Sequence, residues 1–441
     1  MVMVKTFARG GVHPHDNKKW SRHVSVQNAG IPNTVVIPMS QHMGKPADLL
    51  VQADDVLTEG MLIGKAAGFF SVNVHSSVAG KVREITEIYL ANGMKSQAVV
   101  VEVEEGFDPE ASSMFLAKEN WRTMSDEDIV NRIADMGVAG LGGATFPTHI
   151  KYAIKDRNVE YLVVNGVECE PFLTADHRLM LEKSDCIIEG IEISRKVLNA
   201  DNVIIGIEAN KPDAIQSLRD SIIRKNLDFE VVALKTRYPQ GDEKQLLKAT
   251  INREVPSGAL PLDIGAVVSN VGTLYAIYEA VVLKKPVIER IVTVSGSILK
   301  NPGNFKVRLG TSIRELVDAC GGFTEEPVKM IAGGPMMGFS IFDLNAPVTK
   351  GVSGILALSE RDLKPAGETA CISCGRCIHA CPMGLSPTTL FKLIDHQDYE
   401  KAKQENLLDC KECGCCGFTC PARLPLVQML RLGKLMLRKK A

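Results

Sequence analysis

The chain has 441 residues, 45% of them hydrophobic and 23% charged, with a formal net charge of -1, which provides core for about three domains or more. A near-neutral balance carries no electrostatic footprint for nucleic acid, and no partner of that class is expected. No apolar run reaches the roughly 18 residues a spanning helix needs, so membrane association has to come through partners or a surface patch.

In chain order, residues 24–103 read as short strands and turns. They include Asn33-Thr-Val-Val-Ile-Pro, Ser71-Val-Asn-Val-His and Gly80-Lys-Val-Arg-Glu-Ile, punctuated by Gly and Pro. This predicts a small β domain within residues 1–110. The part running from Asp55 to Val82 resembles the barrel-sandwich fold of biotinyl and lipoyl carriers. A carrier needs a lysine at its hairpin tip, and here that position falls near Phe69. The unit therefore reads as a scaffold, with nearby Lys65 keeping a swinging arm open as the alternative.

Residues 115–289 change character. A helix starts at Ser125, an N-cap with Asp128 three residues on, carries Ile129, Ile133 and Met136 on one face and stops at Gly137. Beyond it, Tyr161-Leu-Val-Val, Val203-Ile-Ile-Gly-Ile and Phe229-Glu-Val-Val-Ala-Leu read as buried strands. Helical stretches at 178–198 and 212–225 separate them. Such alternation predicts a mostly parallel sheet with helices on its faces. Residues 290–345 follow with Ile291-Val-Thr-Val-Ser-Gly, the turn Lys300-Asn-Pro-Gly, and a helix at 312–320 ended by Gly321 and Gly322, a compact β-grasp module of the SLBB type. A linker with Pro347 and Pro365 leads into residues 365–441.

That last unit holds eight of the chain's 12 cysteines, in two runs of one grammar. They are Cys371-x2-Cys374-x2-Cys377-x3-Cys381-Pro382 and Cys410-x2-Cys413-x2-Cys416-x3-Cys420-Pro421. This is the two-cluster ferredoxin pattern, in which the fourth Cys of each run ligates the other cluster. One [4Fe–4S] cluster takes Cys371, Cys374, Cys377 and Cys420, and the second takes Cys410, Cys413, Cys416 and Cys381. Zinc sites pair one C-x2-C with a distant second pair, and disulfide frameworks belong to small secreted domains. Thiolate-held clusters and four further cysteines point to a reducing cytosol. Cys169, Cys186, Cys320 and Cys415 lack ligand spacing and read as buried thiols. Cys415 is the ambiguous one: it lies between two ligands, where register favours Cys416 but substitution could recruit Cys415.

A second chemical site is written between the helix and the sheet. Gly140-Leu-Gly-Gly-Ala-Thr-Phe-Pro-Thr-His-Ile-Lys151 is glycine-rich and runs into a helix that Pro147 can open at its first position. Bare amides and a helix N-terminus suit phosphate. The loop does not follow a strand, as the dinucleotide fingerprint requires, so alone it reads equally as a structural turn. Asn165-Gly-Val-Glu-Cys-Glu-Pro follows directly from a strand, placing Asn165, Glu168 and Glu170 where open α/β sheets bind ligands. Tyr238-Pro-Gln-Gly-Asp-Glu-Lys and Val268-Ser-Asn-Val-Gly-Thr follow later elements in the same way. Asp176 and His177 lack a third partner and read as structural, and Glu168 and Glu170 retain a second reading as helix-capping or surface acids.

These segments carry a resemblance. Gly142-Gly-Ala-Thr-Phe-Pro-Thr-His-Ile-Lys151 is similar to the flavin loop of the NADH-oxidising subunit of respiratory complex I, and Gly241-Asp-Glu and Asn270-Val-Gly-Thr look like further segments of that family. The nearer resemblance, spanning almost the whole chain, is to the RnfC family, the C subunits of Rnf electron transport complexes. These are membrane-bound ferredoxin:NAD oxidoreductases that pump Na⁺ or H⁺. The likeness rests on Phe7-Ala-Arg-Gly-Gly-Val-His-Pro-His-Asp-Asn-Lys18, Glu168-Cys-Glu-Pro, Tyr238-Pro-Gln-Gly-Asp-Glu-Lys-Gln-Leu, Gly333-Gly-Pro-Met-Met-Gly338 and both cysteine runs.

The resemblance implies FMN held at Gly140, Gly142, Gly143 and Thr145, with Lys151, Asn165 and Asn270 on its other edges. It implies NADH over the flavin, using Phe146, Glu170 and Glu243, with Glu168, Gly241, Asp242 and Thr273 completing the site. Two positions depart from complex I: Thr145 stands in place of a glycine and Val167 in place of an aspartate.

A hydride is two electrons and a cubane accepts one, so a flavin is the natural converter. The implied function is a peripheral electron-transfer subunit that exchanges hydride between NAD(H) and FMN and passes single electrons through two clusters, with no side chain as general acid or base. Implied partners are the other subunits of the membrane complex and, through one of them, a ferredoxin-type donor, at the cytoplasmic face of the cell membrane. A flavo-iron–sulfur cobalamin reductase and a relay or docking subunit without nucleotide are the alternatives. The C-terminal stretch from Leu424 sets Leu426, Met429, Leu430, Leu435 and Leu437 beside Arg431, Lys434, Arg438, Lys439 and Lys440. It reads either as a helix end matched to its dipole or as a membrane-facing tail.

Overall fold

In the computed structural model, which describes residues 4–109, 114–154, 157–363 and 367–440, the strands of the first unit are rich in β-branched residues. Lys95–Val103 buries Val99 and Val101 and pairs antiparallel with Thr34–Pro38 on one side and Gly80–Tyr89 on the other. A second, three-stranded sheet of Asp48–Leu49, Leu62–Lys65 and Val74–His75 faces it, and Ile63 and Val74 join Val35, Ile37, Val99 and Val101 in one core. This is a barrel sandwich. The chain between Leu62–Lys65 and Val74–His75 carries the tip, with Phe69 and Phe70 on it.

The second unit is a four-stranded parallel sheet in the order Glu230–Leu234, Asn202–Glu208, Tyr161–Asn165, Ala266–Asn270. Period-two alternation splits its strands between two cores. Leu162 and Val164 pack with the helices Asp126–Asp135, Ser184–Leu198 and Val271–Val282, whereas Val163 packs with Leu246 and Leu247 of Glu243–Ile251. Ser125 caps the first helix by accepting from Asp128 N–H, and Asp126, Glu127 and Asp128 in its first turn suit the dipole. The stretch 178–198 is two helices, Ala175–Glu182 and Ser184–Leu198, where one was expected. The chain leaves helical geometry at Lys183, just before Ser184 and Asp185, residue types that favour a start over an interior. Pro147 sits at the N-cap of the short helix Thr148–Tyr152, one place before the first helical position expected for it.

The β-grasp sheet is six-stranded, ordered Gln27–Asn28, Gly303–Arg308, Glu289–Ser295, Gly354–Leu358, Lys329–Ala332, Phe339–Ser340. Two of these strands lie outside residues 290–345. Gly354–Leu358 is central and wholly buried, the pattern of a strand covered on both faces. Ala346 and Val348 are buried before it, so the Pro347 stretch is packed structure and not a linker. Pro365 lies outside the described residues.

The cysteine unit repeats its own backbone. Ser373 and Glu412, Gly375 and Gly414, and Gly384 and Arg423 occupy matching places in the two runs, and all six have positive φ. The short helices Arg376–Ala380 and Cys415–Thr419 occupy matching places too. Leu426 and Leu430 of the last helix, Leu426–Lys440, are buried, and Arg431 and Lys434 pair with Glu412 at 2.9 and 2.8 Å. The first half of the stretch that read either as a dipole-matched helix end or as a membrane-facing tail is therefore packed into this unit. Leu432, Leu435, Arg438 and Lys439 stay exposed.

The opening residues bind the units together. Lys5 bridges in parallel to Leu234 at the edge of the parallel sheet and Val12 antiparallel to Tyr238 beyond it, Gly11 N–H donates to Ala380 O in the cysteine unit at 2.9 Å, and Gln27–Asn28 enters the β-grasp sheet.

Candidate functional site: a nucleotide loop beside a cysteine centre

The glycine-rich loop is closed on itself. Gly140 N–H donates to Phe146 O at 2.8 Å and Thr145 N–H to Gly140 O at 3.1 Å. Thr273 Oγ1, in the first turn of Val271–Val282, accepts from Leu141 N–H at 2.9 Å, and Arg290 donates to Leu141 O at 3.2 Å. A Cβ on Gly142 would lie 3.1 Å from Asn270 Cβ, so any larger residue there would press on the Asn270 side chain. Thr145 keeps the left-handed backbone, φ 50°, that glycine adopts freely. The amides of Gly142, Gly143 and Ala144 are exposed and have no hydrogen-bond partner among the described residues. A row of bare N–H donors fits a phosphate.

Asn165 and Asn270 face each other across adjacent strand ends. Asn165 Nδ2 donates to Gly241 O at 2.9 Å and its Oδ1 accepts from Val167 N–H. Asn270 Oδ1 caps Val271–Val282 through Gly272 and Thr273, and its Nδ2 donates to Asp176 at 2.7 Å. Both amides thus hold the loops that build the site. Lys151 and Glu243 stand together, 3.7 Å apart, with Lys151 Nζ donating to Val268 O at 3.0 Å. Asp242 caps Glu243–Ile251 by accepting from Gln245 N–H at 3.2 Å, and burial raises its pKa.

The two acids after Tyr161–Asn165 are engaged inside the fold. Glu168 accepts from the amides of Asp176 and His177 at the start of Ala175–Glu182 and lies 3.7 Å from buried Lys18. Glu170 accepts from Met336 and Met337 N–H, both at 3.0 Å, and burial pushes it up to about 7. For Glu168 the helix-capping reading describes the geometry. Asp176, read from sequence as structural, is the partner of Asn270 at the centre of the site, where burial and then Glu168 raise its pKa. Sequence reasoning missed Arg290. Its only signal was a charge opening the buried strand Glu289–Ser295, and it ties Leu141 O to Lys350 O.

Across Tyr238 lies the cysteine centre. Cys381 of the first run lines one cavity with Cys410, Cys413, Cys415 and Cys416 of the second. Cys377 and Cys420 pack with Cys416 around Leu426, and Cys371 and Cys374 are exposed. Amide N–H groups of Ser373, Leu385 and Glu412 donate to the sulfurs of Cys371, Cys381 and Cys410, each at 3.4 Å, bonds that tune a thiolate-held cluster. Cys415 is fully buried and directs its thiol to Tyr238 O at 3.9 Å, while the Tyr238 hydroxyl reaches Glu170 at 3.4 Å. Among the described residues, no three His, Cys, Asp or Glu side chains converge on a single-ion site.

Four family models match the chain. They are the RnfC barrel sandwich hybrid domain over residues 6–106, the Nuo51 FMN-binding domain over 133–279, the SLBB domain over 291–340 and the 4Fe-4S dicluster domain over 366–421. The C subunit of the proton-translocating ferredoxin:NAD(+) oxidoreductase complex of Clostridium ljungdahlii is 46% identical, across 97% of this chain and 93% of that protein. Its Na(+)-translocating counterpart from Acetobacterium woodii is 41% identical over 97% and 96%. The C subunit of the ion-translocating oxidoreductase complex of Rhodobacter capsulatus is 38% identical over 97% and 82%. Among solved structures, an NAD+-reducing [NiFe]-hydrogenase in its H2-reduced state superposes with a TM-score of 0.54 at 16% identity, covering 74% of this chain and 64% of that one.

Proposed function

The chain belongs to the RnfC family, the C subunits of ion-translocating ferredoxin:NAD(+) oxidoreductase complexes, and on that premise we propose how its residues serve as the peripheral electron-transfer subunit of such a complex. It exchanges hydride between NAD(H) and FMN and passes single electrons through two [4Fe–4S] clusters. The relatives align across the N-terminal β unit as well as the middle of the chain, which sets it apart from the order of domains in a cobalamin reductase.

Bound FMN supplies a carrier that trades two electrons with nicotinamide and one with a cluster. The chain's own part is to hold and insulate it. The free amides at Gly142, Gly143 and Ala144 receive the phosphate, with Gly140 and Thr145 shaping the loop. Lys151 contributes the cation on the same side, and Glu243 beside it receives a hydroxyl or amide of the nucleotides. Phe146 offers an aromatic face. Asn165, Asn270, Thr273, Gly241, Asp242 and Glu168 act one step back, by fixing the loops. Glu170 is tied to Met336 and Met337, so its part in holding NADH lies in placing Tyr238 and the 333–338 loop.

The observation that carries the reading is the position of Tyr238. Its carbonyl accepts from Cys415, which lines the cavity with Cys381, Cys410, Cys413 and Cys416, and the segment it opens runs on to Gly241, whose carbonyl accepts from Asn165, and to Glu243, which pairs with Lys151, so one short segment joins the two sites. Crossed ligation is supported by Cys381 lining the cavity of the second run. Substituting Lys151 or Glu243 with alanine should impair flavin retention or NADH reduction while leaving iron content unchanged. Variants that bleach with NADH as the parent does would show the site misplaced.

Among the described residues no helix is long and apolar enough to cross a membrane. The chain is a subunit of a membrane-associated complex, and we place it peripherally on the cytoplasmic face, where its NAD(H) pool lies.

A further inference from the structure

The tip of the barrel sandwich is built against the nucleotide loop. Met43 N–H donates to Thr145 O at 3.0 Å, and the ring of Phe70 meets that of Phe146 edge-on, centroids 5.9 Å apart. Phe69 packs edge-on against Phe70 at 5.0 Å. Both are open to solvent, Phe69 at 72% and Phe70 at 47%. The tip is also fixed in place: Lys45 N–H donates to Phe70 O at 2.9 Å, Val72 N–H donates to His42 Nε2 at 3.1 Å, and Ser71 Oγ donates to Lys45 O at 2.9 Å. Gly44, φ 111°, lies so close that any Cβ there would collide with the Phe70 carbonyl. Two phenylalanines at the lip of a phosphate loop, Phe70 anchored through its carbonyl and both open to water, present an exposed apolar surface.

We infer that Phe69 and Phe70, supplied by the barrel-sandwich unit and not by the nucleotide domain, bind the adenine ring of NAD(H) at the mouth of the site. The inference rests on the nucleotide reading above. Hydride transfer requires the nicotinamide to lie against the flavin, so the dinucleotide's other ring is the one free to reach the lip. An exposed aromatic pair gives a flat heteroaromatic ring both a face and an edge to pack on. The carrier-like tip thus serves as a clamp for a base.

The test uses the full chain, purified anaerobically with FMN bound, and the variants Phe69→Ala, Phe70→Leu and Phe70→Tyr. Calorimetric binding of ADP-ribose, which has the adenine but no nicotinamide, is compared with binding of reduced nicotinamide mononucleotide, which has the reverse. Phe69→Ala and Phe70→Leu should weaken ADP-ribose about tenfold and leave the mononucleotide, flavin content and melting temperature unchanged, and Phe70→Tyr should restore ADP-ribose binding. Equal loss for both ligands, or weakened assembly with membrane subunits at unchanged ADP-ribose affinity, overturns the assignment. A parent chain that binds neither probe overturns the nucleotide site itself, whereas a parent that binds ADP-ribose and variants that match it overturn only the role of the phenylalanines.

Discussion

Thr145 shows how one residue can depart from the complex I loop and keep its backbone geometry. Its φ of 50° is a conformation that costs an L-residue roughly 1–2 kcal/mol, while a glycine there adds freedom to the unfolded chain. The two effects oppose each other, so Thr145→Gly should melt within a few degrees of the parent and retain flavin at least as well. Thr145→Pro, whose ring forces φ negative, should lose flavin outright; flavin content after gel filtration checks both. The loop itself was legible because glycine count and spacing report backbone directly. The capping role of Glu168 was legible too, but the burial of Glu170 was not, since Met336 and Met337 hold it from far along the chain.

At the scale of elements, the two cysteine runs are the most legible feature, because three thiolates two residues apart can only serve one tight turn. What spacing alone left to principle was which cluster each fourth Cys serves. With Cys381 in the cavity of Cys410, Cys413 and Cys416, Cys381→Ser should lower iron by about half and perturb the cluster of the second run. Cys420→Ser should perturb the other, with spectra of the two variants complementary by electron paramagnetic resonance. Truncating the chain before Thr369 should remove all iron, about eight atoms per chain. The break at Lys183 and the strand Gly354–Leu358 escaped sequence reading for different reasons. A helix broken for one residue keeps its apolar period on both sides, and a five-residue apolar run between glycine and proline signals looks like a connection until another strand is seen beside it.

At the scale of the whole molecule, domain order was readable and domain packing was not, because the joints are made by pairs distant in sequence. Lys350 is one such joint: fully buried, it donates to Asn73 O of the barrel sandwich at 2.9 Å and to Gly137 O after the first helix at 2.7 Å. Burial lowers its pKa to about 7 from the ordinary 10.5. Below about pH 7 the fold carries the full cost of the buried charge; above it the folded amine is neutral while the unfolded one still holds its proton, so stability rises with pH up to 10.5. His42 and His75, which feel its charge, are held neutral there by burial. A melting series should therefore show the parent gaining on Lys350→Met across that window, and parallel curves would contradict it. Membrane attachment is tested at the same scale. Arg431 and Lys434 are committed to Glu412, leaving Arg438 and Lys439 exposed. Surface attraction is worth about 1 kcal/mol per basic residue and is screened by salt. Neutralising Arg438 and Lys439 should loosen membrane retention at low ionic strength only, and retention unchanged across a salt series would leave them as helix-end charges.

The opening segment has a consequence for biosynthesis. Residues 5–12 reach their places only when Leu234, Tyr238 and Ala380 exist to receive them, and Gly10 packs directly against the backbone of Cys381. On a ribosome adding about 5–20 residues per second, that segment waits on the order of tens of seconds before its docking surface emerges. The first part made is thus among the last to settle, and Val12 then packs with Cys413 and Cys415 of the cysteine unit. A bulky tag fused ahead of residue 5 should hinder that late docking, and lower the melting temperature, more than the same tag placed at the other end.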